Sequence, residues 1–134
     1  MSKHTIHFIL QDIYDFHKEL EKNLALLSGI RDTSLLESAV NTPFQTFMGN
    51  DLYPSIYDKA AQLCYGIVKN HPFTDGNKRT ALHSMYVYLI INGFDITATQ
   101  QEVENLIINV AAGNMSNVEL VQWLRENTIQ LDKH

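Results

Sequence analysis

The residues His71-Pro72-Phe73-Thr74-Asp75-Gly76-Asn77-Lys78-Arg79 gather an imidazole, a carboxylate, a glycine, an amide and two cations in one short segment. Each type has a use in nucleotide chemistry and a plainer structural use. An imidazole takes up a proton near neutral pH, so His71 can act as general base toward a hydroxyl that attacks phosphorus; the plainer role is to satisfy carbonyls at a helix end. Asp75 can hold Mg²⁺ together with phosphate oxygens and water, or cap the helix that follows. Gly76 permits unusual dihedrals and a close approach to a ligand. Asn77 opens a helix whose N-terminal N–H groups and dipole attract an anion. Lys78 and Arg79 fall in that first turn, where cations disfavour the helix. A bound polyphosphate would remove the conflict, and so would simple solvation. Phe73 is a packing anchor and Thr74 a weak cap, neither with assigned chemistry.

Two helices must hold this segment. From Ile56 to Asn70, the residues Ala60, Ala61, Cys64, Ile67 and Val68 form one apolar helical face. Pro72 disfavours helical geometry at the residue before it, so that helix should end near His71. From Asn77 to Asn92 a second helix is apolar on nearly every side between Leu82 and Ile91, which marks it as central and buried on most faces. Gly93 stops it. Before the segment, Ile6, Ile9, Leu10, Ile13, Leu20, Leu24 and Leu27 recur at helical spacing, with Gly29 able to cap the helix they define. A turn at Gly29–Ser34 precedes a short helix carrying Leu35, Leu36, Ala39 and Val40, where Ser34 and Glu37 have the spacing of a capping box.

Between Asn41 and Ser55 periodicity fails. Pro43, Gly49, Asn50 and Pro54 interrupt Phe44, Phe47 and Tyr53. This reads as a long ordered loop or a short hairpin, either functional or a packed connector. Thr99 with Glu102, and Ser116 with Glu119, are capping pairs. They open helices carrying Val103, Leu106, Ile107 and Val110, then Leu120, Trp123 and Leu124. No segment alternates convincingly as a strand. The expected fold class is all-α, about six helices around a central buried one, with at most a small β-hairpin.

The 134 residues suit one domain, residues 1–134, able to bury roughly 65–70% of the unfolded surface. A net charge of −5 argues against a nonspecific nucleic-acid binder, for which a basic excess is usual. Cys64 is the sole cysteine and sits in an apolar helical stripe, so a buried inert thiol is expected and no internal disulfide can form. The segment from Met1 to His7 has no leader pattern, and the apolar run from Met85 to Ile91 is too short to span a bilayer. The expected location is the cytoplasm.

Taken together at a helix–loop–helix junction, HPFTDGNKR resembles the signature HPFx(D/E)GN(G/K)R of the Fic/Doc family at every defined position. Gly29-Ile30-Arg31-Asp32 followed by Leu35-Leu36-Glu37-Ser38-Ala39 is similar to the family's segment before the loop. Asn77-Lys78-Arg79-Thr80-Ala81-Leu82 looks like the end of the motif in the Doc branch, the toxins of toxin–antitoxin pairs. The resemblance implies His71 as the base that activates a target hydroxyl and Asp75 as the Mg²⁺ ligand. It implies Gly76, Asn77, Lys78 and Arg79 as the phosphate-binding residues, and the Asn41–Ser55 loop as the flap that positions a target segment.

Two departures from the AMP-transferring pattern matter. That pattern commonly has Gly where this chain has Lys78, and a second Arg where it has Leu82. Doc proteins share both features and are thought to bind ATP reversed, with the γ-phosphoryl facing the nucleophile. The implied reaction is phosphorylation of a protein hydroxyl, with elongation factor Tu as the target and translation as the process stopped. The alternatives are an AMP or other nucleotidyl transferase, and a non-catalytic Fic-shaped binding module. Thr33 and Glu37 have the spacing of the family's autoinhibitory helix, but Ser38 breaks its pattern. A brake supplied in trans by an antitoxin helix is therefore expected, together with Mg²⁺ and ATP and without a membrane or a direct nucleic-acid partner.

Overall fold

In the computed structural model, residues 3–24, 26 and 28–132 are described. Leu27, where the periodicity places the end of the first helix, and Met1 and Ser2 of the segment inspected for a leader lie outside them. The helices are α1 (Lys3–Leu24), α2 (Thr33–Asn41), α3 (Ile56–Asn70), α4 (Asn77–Ile91), α5 (Gln100–Ala111) and α6 (Asn117–Glu126). A 3-10 turn, Thr42–Phe44, follows α2. Four short strands, β1 (Thr46–Phe47), β2 (Asn50–Asp51), β3 (Phe94–Ile96) and β4 (Thr128–Gln130), complete the described elements. The all-α expectation holds. No helix among the described residues is long and apolar enough to cross a membrane.

The centre is the α3–α4 pair, with α1 and α5 against α4, and α2 and α6 against α3. Leu63, Cys64 and Ile67 of α3 and Ala81, Met85 and Leu89 of α4 are fully buried. Gly66 lets α2 approach, since a Cβ there would stand 3.4 Å from the Ala39 backbone. Two buried hydroxyls of α4 are satisfied inside the helix: Thr80 Oγ1 donates to the Gly76 carbonyl (2.8 Å) and Ser84 Oγ to that of Thr80 (2.7 Å). Tyr86 and Ile91 nevertheless face outward, so α4 is central without being enclosed on all sides. Burial pushes the Cys64 thiol up to about 12, which keeps it protonated and inert as expected.

The caps partly follow the sequence. Thr99 with Glu102 and Ser116 with Glu119 form complete capping boxes, and Ser55 with Asp58 forms a third that the sequence reading missed. Hydrogen bonds from the Thr99 and Ser116 backbones hold the Glu102 and Glu119 carboxyls below the usual carboxylate range. Two expectations fail. The N-cap of α2 is Asp32, not Ser34: Asp32 Oδ1 accepts from Leu35 N (3.0 Å), and Ser34 lies in the first turn, donating its hydroxyl to Asp32 (2.6 Å). The Ser34 hydroxyl and the Leu35 N–H hold the Asp32 carboxyl low. Gly29 does not cap α1, which ends at Leu24; its N–H reaches back to Glu21 Oε2 (2.7 Å).

The Asn41–Ser55 stretch contains the hairpin β1–β2, with Thr46 opposite Asp51 and Phe47 opposite Asn50. Met48 and Gly49 at its tip both take positive φ (53° and 81°), the geometry of a tight two-residue hairpin turn. A second antiparallel pair, β3–β4, went unread: Phe94, Asp95 and Ile96 face Gln130, Ile129 and Thr128. Three residues are too few to show alternation, and the partners lie far apart in the chain.

The β1–β2 hairpin is tied to α3 by one buried cation. Lys59 donates from Nζ to Asp51 Oδ2 (3.1 Å), to the Tyr53 carbonyl and to the Pro54 carbonyl (3.5 Å), so each ammonium hydrogen has an acceptor. Replacing Lys59 by Met should lower unfolding free energy by about 1–3 kcal/mol, because two carbonyls lose a charged donor. Urea titration measures that loss. Limited proteolysis near Met48, which is 85% exposed, should quicken in the same variant.

Candidate active site

The C-terminus of α3 and the N-terminus of α4 meet at the motif. A cavity of about 410 Å³ opens there, lined by His71, Asp75, Gly76, Asn77, Lys78 and Arg79 together with Leu26, Val68, Thr74 and Ala111. All six residues singled out in the sequence thus border one space, whereas Phe73 turns inward and is 1% exposed.

His71 caps α3 in the left-handed region (φ 49°, ψ 55°), with its N–H on the Ile67 carbonyl (3.0 Å). For a residue with a Cβ this conformation costs about 1–2 kcal/mol. Its neighbours hold it there. Arg31, missed in the sequence reading, donates from Nε to the His71 carbonyl (2.8 Å) and from Nη2 to the Asn70 carbonyl (2.9 Å). A cation on the last carbonyls of a helix also complements the helix dipole. The Pro72 carbonyl accepts from Arg31 N (2.7 Å) and Asp32 N (3.0 Å), and Thr74 N donates to the Gly29 carbonyl (3.2 Å). The turn at residues 29–32 therefore grips the loop along its length, through the Ile30–Phe73 bridge.

The N-cap of α4 is Gly76, at φ 80° and without a side-chain cap. Asp75 is thus not the cap that one reading of the sequence allowed. Its Oδ1 accepts from Gly76 N (2.9 Å), ahead of the helix. The first helical bond runs from Thr80 N to the Gly76 carbonyl (3.0 Å), and among the described residues the N–H groups of the first turn have no side-chain cap. Lys78 and Arg79 are exposed in that turn, and among the described residues neither has a carboxylate in ion-pair range. Uncapped donors, a helix dipole and two cations converge where an anion would be stabilised.

Asn77 borders the cavity and also holds the loop. It is 5% exposed, and its amide spans the loop: Oδ1 accepts from Phe73 N (3.0 Å) and Nδ2 donates to the Phe73 carbonyl (2.9 Å). The side chain shapes the loop. Leu82 lies on a neighbouring apolar cleft with Phe16, Tyr86 and Val103, away from the cavity wall. Glu37, with the spacing of an inhibitory residue, is exposed on α2 and does not line the cavity.

The model of the Fic/DOC family matches residues 5–89, which cover most of α1, all of α2 and α3, the whole loop and most of α4. The chain belongs to the Fic/DOC family. The match also accounts for the turn at residues 29–32, which packs on the Fic/DOC loop as part of the same unit. Toxin Doc of Mycolicibacterium smegmatis is 45% identical over 69 residues, covering 52% of this chain and 53% of that protein. The aligned part is thus about half the length of that relative.

Proposed function

We propose that this Fic/DOC protein is a Doc-type toxin and a kinase, transferring the γ-phosphoryl group of ATP to a hydroxyl of elongation factor Tu. The observation that carries the proposal is the single cavity bordered by His71, Asp75 and the uncapped, doubly cationic start of α4. In this reading His71 takes the proton of the target hydroxyl as its oxygen attacks the γ-phosphorus. The bond from that phosphorus to the β,γ-bridging oxygen breaks, and ADP leaves. Lys78, Arg79 and the first-turn N–H groups hold the phosphate oxygens, whose charge spreads in a loose transition state.

Asp75 suits Mg²⁺, because one carboxylate with substrate phosphates and water is a sufficient hold for that ion. Bound there, Mg²⁺ would neutralise developing phosphate charge. Lys78 and Leu82 favour phosphoryl over nucleotidyl transfer. Lys78 sets a charged side chain at the anion site, and Leu82 offers no donor for a second phosphate contact. The similarity to Toxin Doc supports an antitoxin as cognate partner, and the position of Glu37 away from the cavity fits inhibition supplied in trans.

The deciding experiment incubates the protein with elongation factor Tu, Mg²⁺ and ATP labelled separately at the γ- and α-phosphorus. Label from the γ position is expected in the factor. Label arriving only from the α position would replace the kinase with a nucleotidyl transferase. No label from either, with growth inhibition intact in His71→Ala, would leave a binding module.

A further inference from the structure

Behind the loop, on the face away from the cavity, α1 presents His17 and Glu21 one turn apart. His17 is 3% exposed although it carries an ionisable ring. The ring stacks on Phe73, with centroids 3.8 Å apart and planes 12° from parallel. Its Nε2 lies 2.7 Å from the Asp75 carbonyl oxygen, and its Nδ1 lies 3.1 Å from Glu21 Oε2. A carbonyl oxygen only accepts, so Nε2 carries the hydrogen. The same Glu21 oxygen accepts the Gly29 N–H (2.7 Å), and the Gly29 carbonyl accepts the Thr74 N–H (3.2 Å).

The consequence lies in the peptide between Asp75 and Gly76. Peptide groups are planar, so a donor fixed on the Asp75 carbonyl also fixes the direction of the Gly76 N–H. That N–H is the one bonded to the Asp75 carboxylate. Gly76 admits the arrangement because a Cβ there would stand 2.8 Å from Leu26 Cδ1 and 3.6 Å from His17 Nε2.

We infer that His17 is a positioning residue: by holding the Asp75–Gly76 peptide from behind, it sets the bearing of the Asp75 carboxylate in the cavity. Only the Nε2 hydrogen is required. Glu21 lies beside Nδ1 and, through the Gly29 N–H, links this end of α1 to the turn at Gly29. The functional consequence rests on the proposed role of Asp75 in holding Mg²⁺. Groups that orient a metal-binding carboxylate typically change metal affinity 10–100-fold when removed.

The test compares His17→Phe, which keeps the ring stack and loses the donor, with His17→Gln, whose amide can replace the Nε2 hydrogen. Both are made in the full chain and checked for cooperative unfolding. Two quantities are read: the Mg²⁺ concentration that half-saturates phosphoryl transfer, and the hydrogen exchange rate of the Gly76 amide without any ligand. His17→Phe should raise the half-saturating Mg²⁺ about tenfold and speed Gly76 exchange about tenfold, with His17→Gln close to wild type in both. A folded His17→Phe protein with unchanged Gly76 exchange, or a His17→Gln protein as defective as His17→Phe, would overturn the inference. Asp75→Asn separates the two layers. If it leaves Mg²⁺ dependence untouched, the metal role of Asp75 fails, and Gly76 exchange still decides whether His17 positions the loop.

Discussion

His71→Ala should reduce phosphoryl transfer by about 10²–10⁴-fold while leaving the fold intact. The ring is exposed at the cavity mouth, and the hydrogen bonds that hold this residue come from its backbone, through the Ile67 carbonyl and the Arg31 guanidinium. Removing the imidazole therefore subtracts a proton acceptor and little packing. The KM for ATP should stay within about twofold, since the phosphates are assigned to the start of α4, and the loss should fall on kcat. His71→Gly sharpens the prediction. The left-handed backbone at φ 49° costs a residue with a Cβ about 1–2 kcal/mol, whereas glycine in the unfolded chain gains freedom worth about 0.5–1 kcal/mol. The glycine variant should be inactive and at least as stable as the parent. Steady-state kinetics on labelled ATP and urea unfolding of the same samples give both numbers. A variant that keeps full turnover would remove His71 from the chemistry.

The residues gathered at this cavity were legible in sequence because they are contiguous, and the helices flanking them have strong periodicity. The limits of α3 at Ile56 and Asn70 follow from its apolar face and from Pro72, and the start of α4 follows from Gly76. What escaped was long-range. His17 and Arg31 reach the loop from 58 and 39–40 residues away. Nothing local marks them, although His17 and Glu21 at four-residue spacing within the apolar stripe of α1 were a usable signal. The β3–β4 pair escaped for the same reason. The hairpin tip escaped because Met48 occupies a left-handed position that sequence rules reserve for Asn or Gly. Ser34 was a plausible cap by spacing, but Asp32 is equally short and polar and stands before the helix in extended geometry; composition could not separate them.

Asn77 carries the second large effect, because its side chain holds the loop as well as standing among the residues expected to bind phosphate. In sequence it belongs with the phosphate-binding residues; in the fold its amide is engaged by both backbone groups of buried Phe73. Asn77→Ala strands a buried N–H and a buried C=O. At about 1–3 kcal/mol for each stranded group, unfolding free energy should fall by roughly 2–6 kcal/mol, and the loop should lose the register that brings Asp75 and the start of α4 to the same cavity. Asn77→Asp is the finer probe. Its carboxylate can accept from Phe73 N but cannot donate to the Phe73 carbonyl, and it sets two acceptors face to face at the end of the loop. It should therefore be destabilised as well, despite matching the wild-type volume. A side chain that acted only on phosphate would behave otherwise: both variants would unfold at the wild-type urea midpoint, and only the KM for ATP would rise. Measuring the midpoint and the KM together on each variant separates the scaffold from the ligand, because a collapsed loop lowers stability before any nucleotide is added.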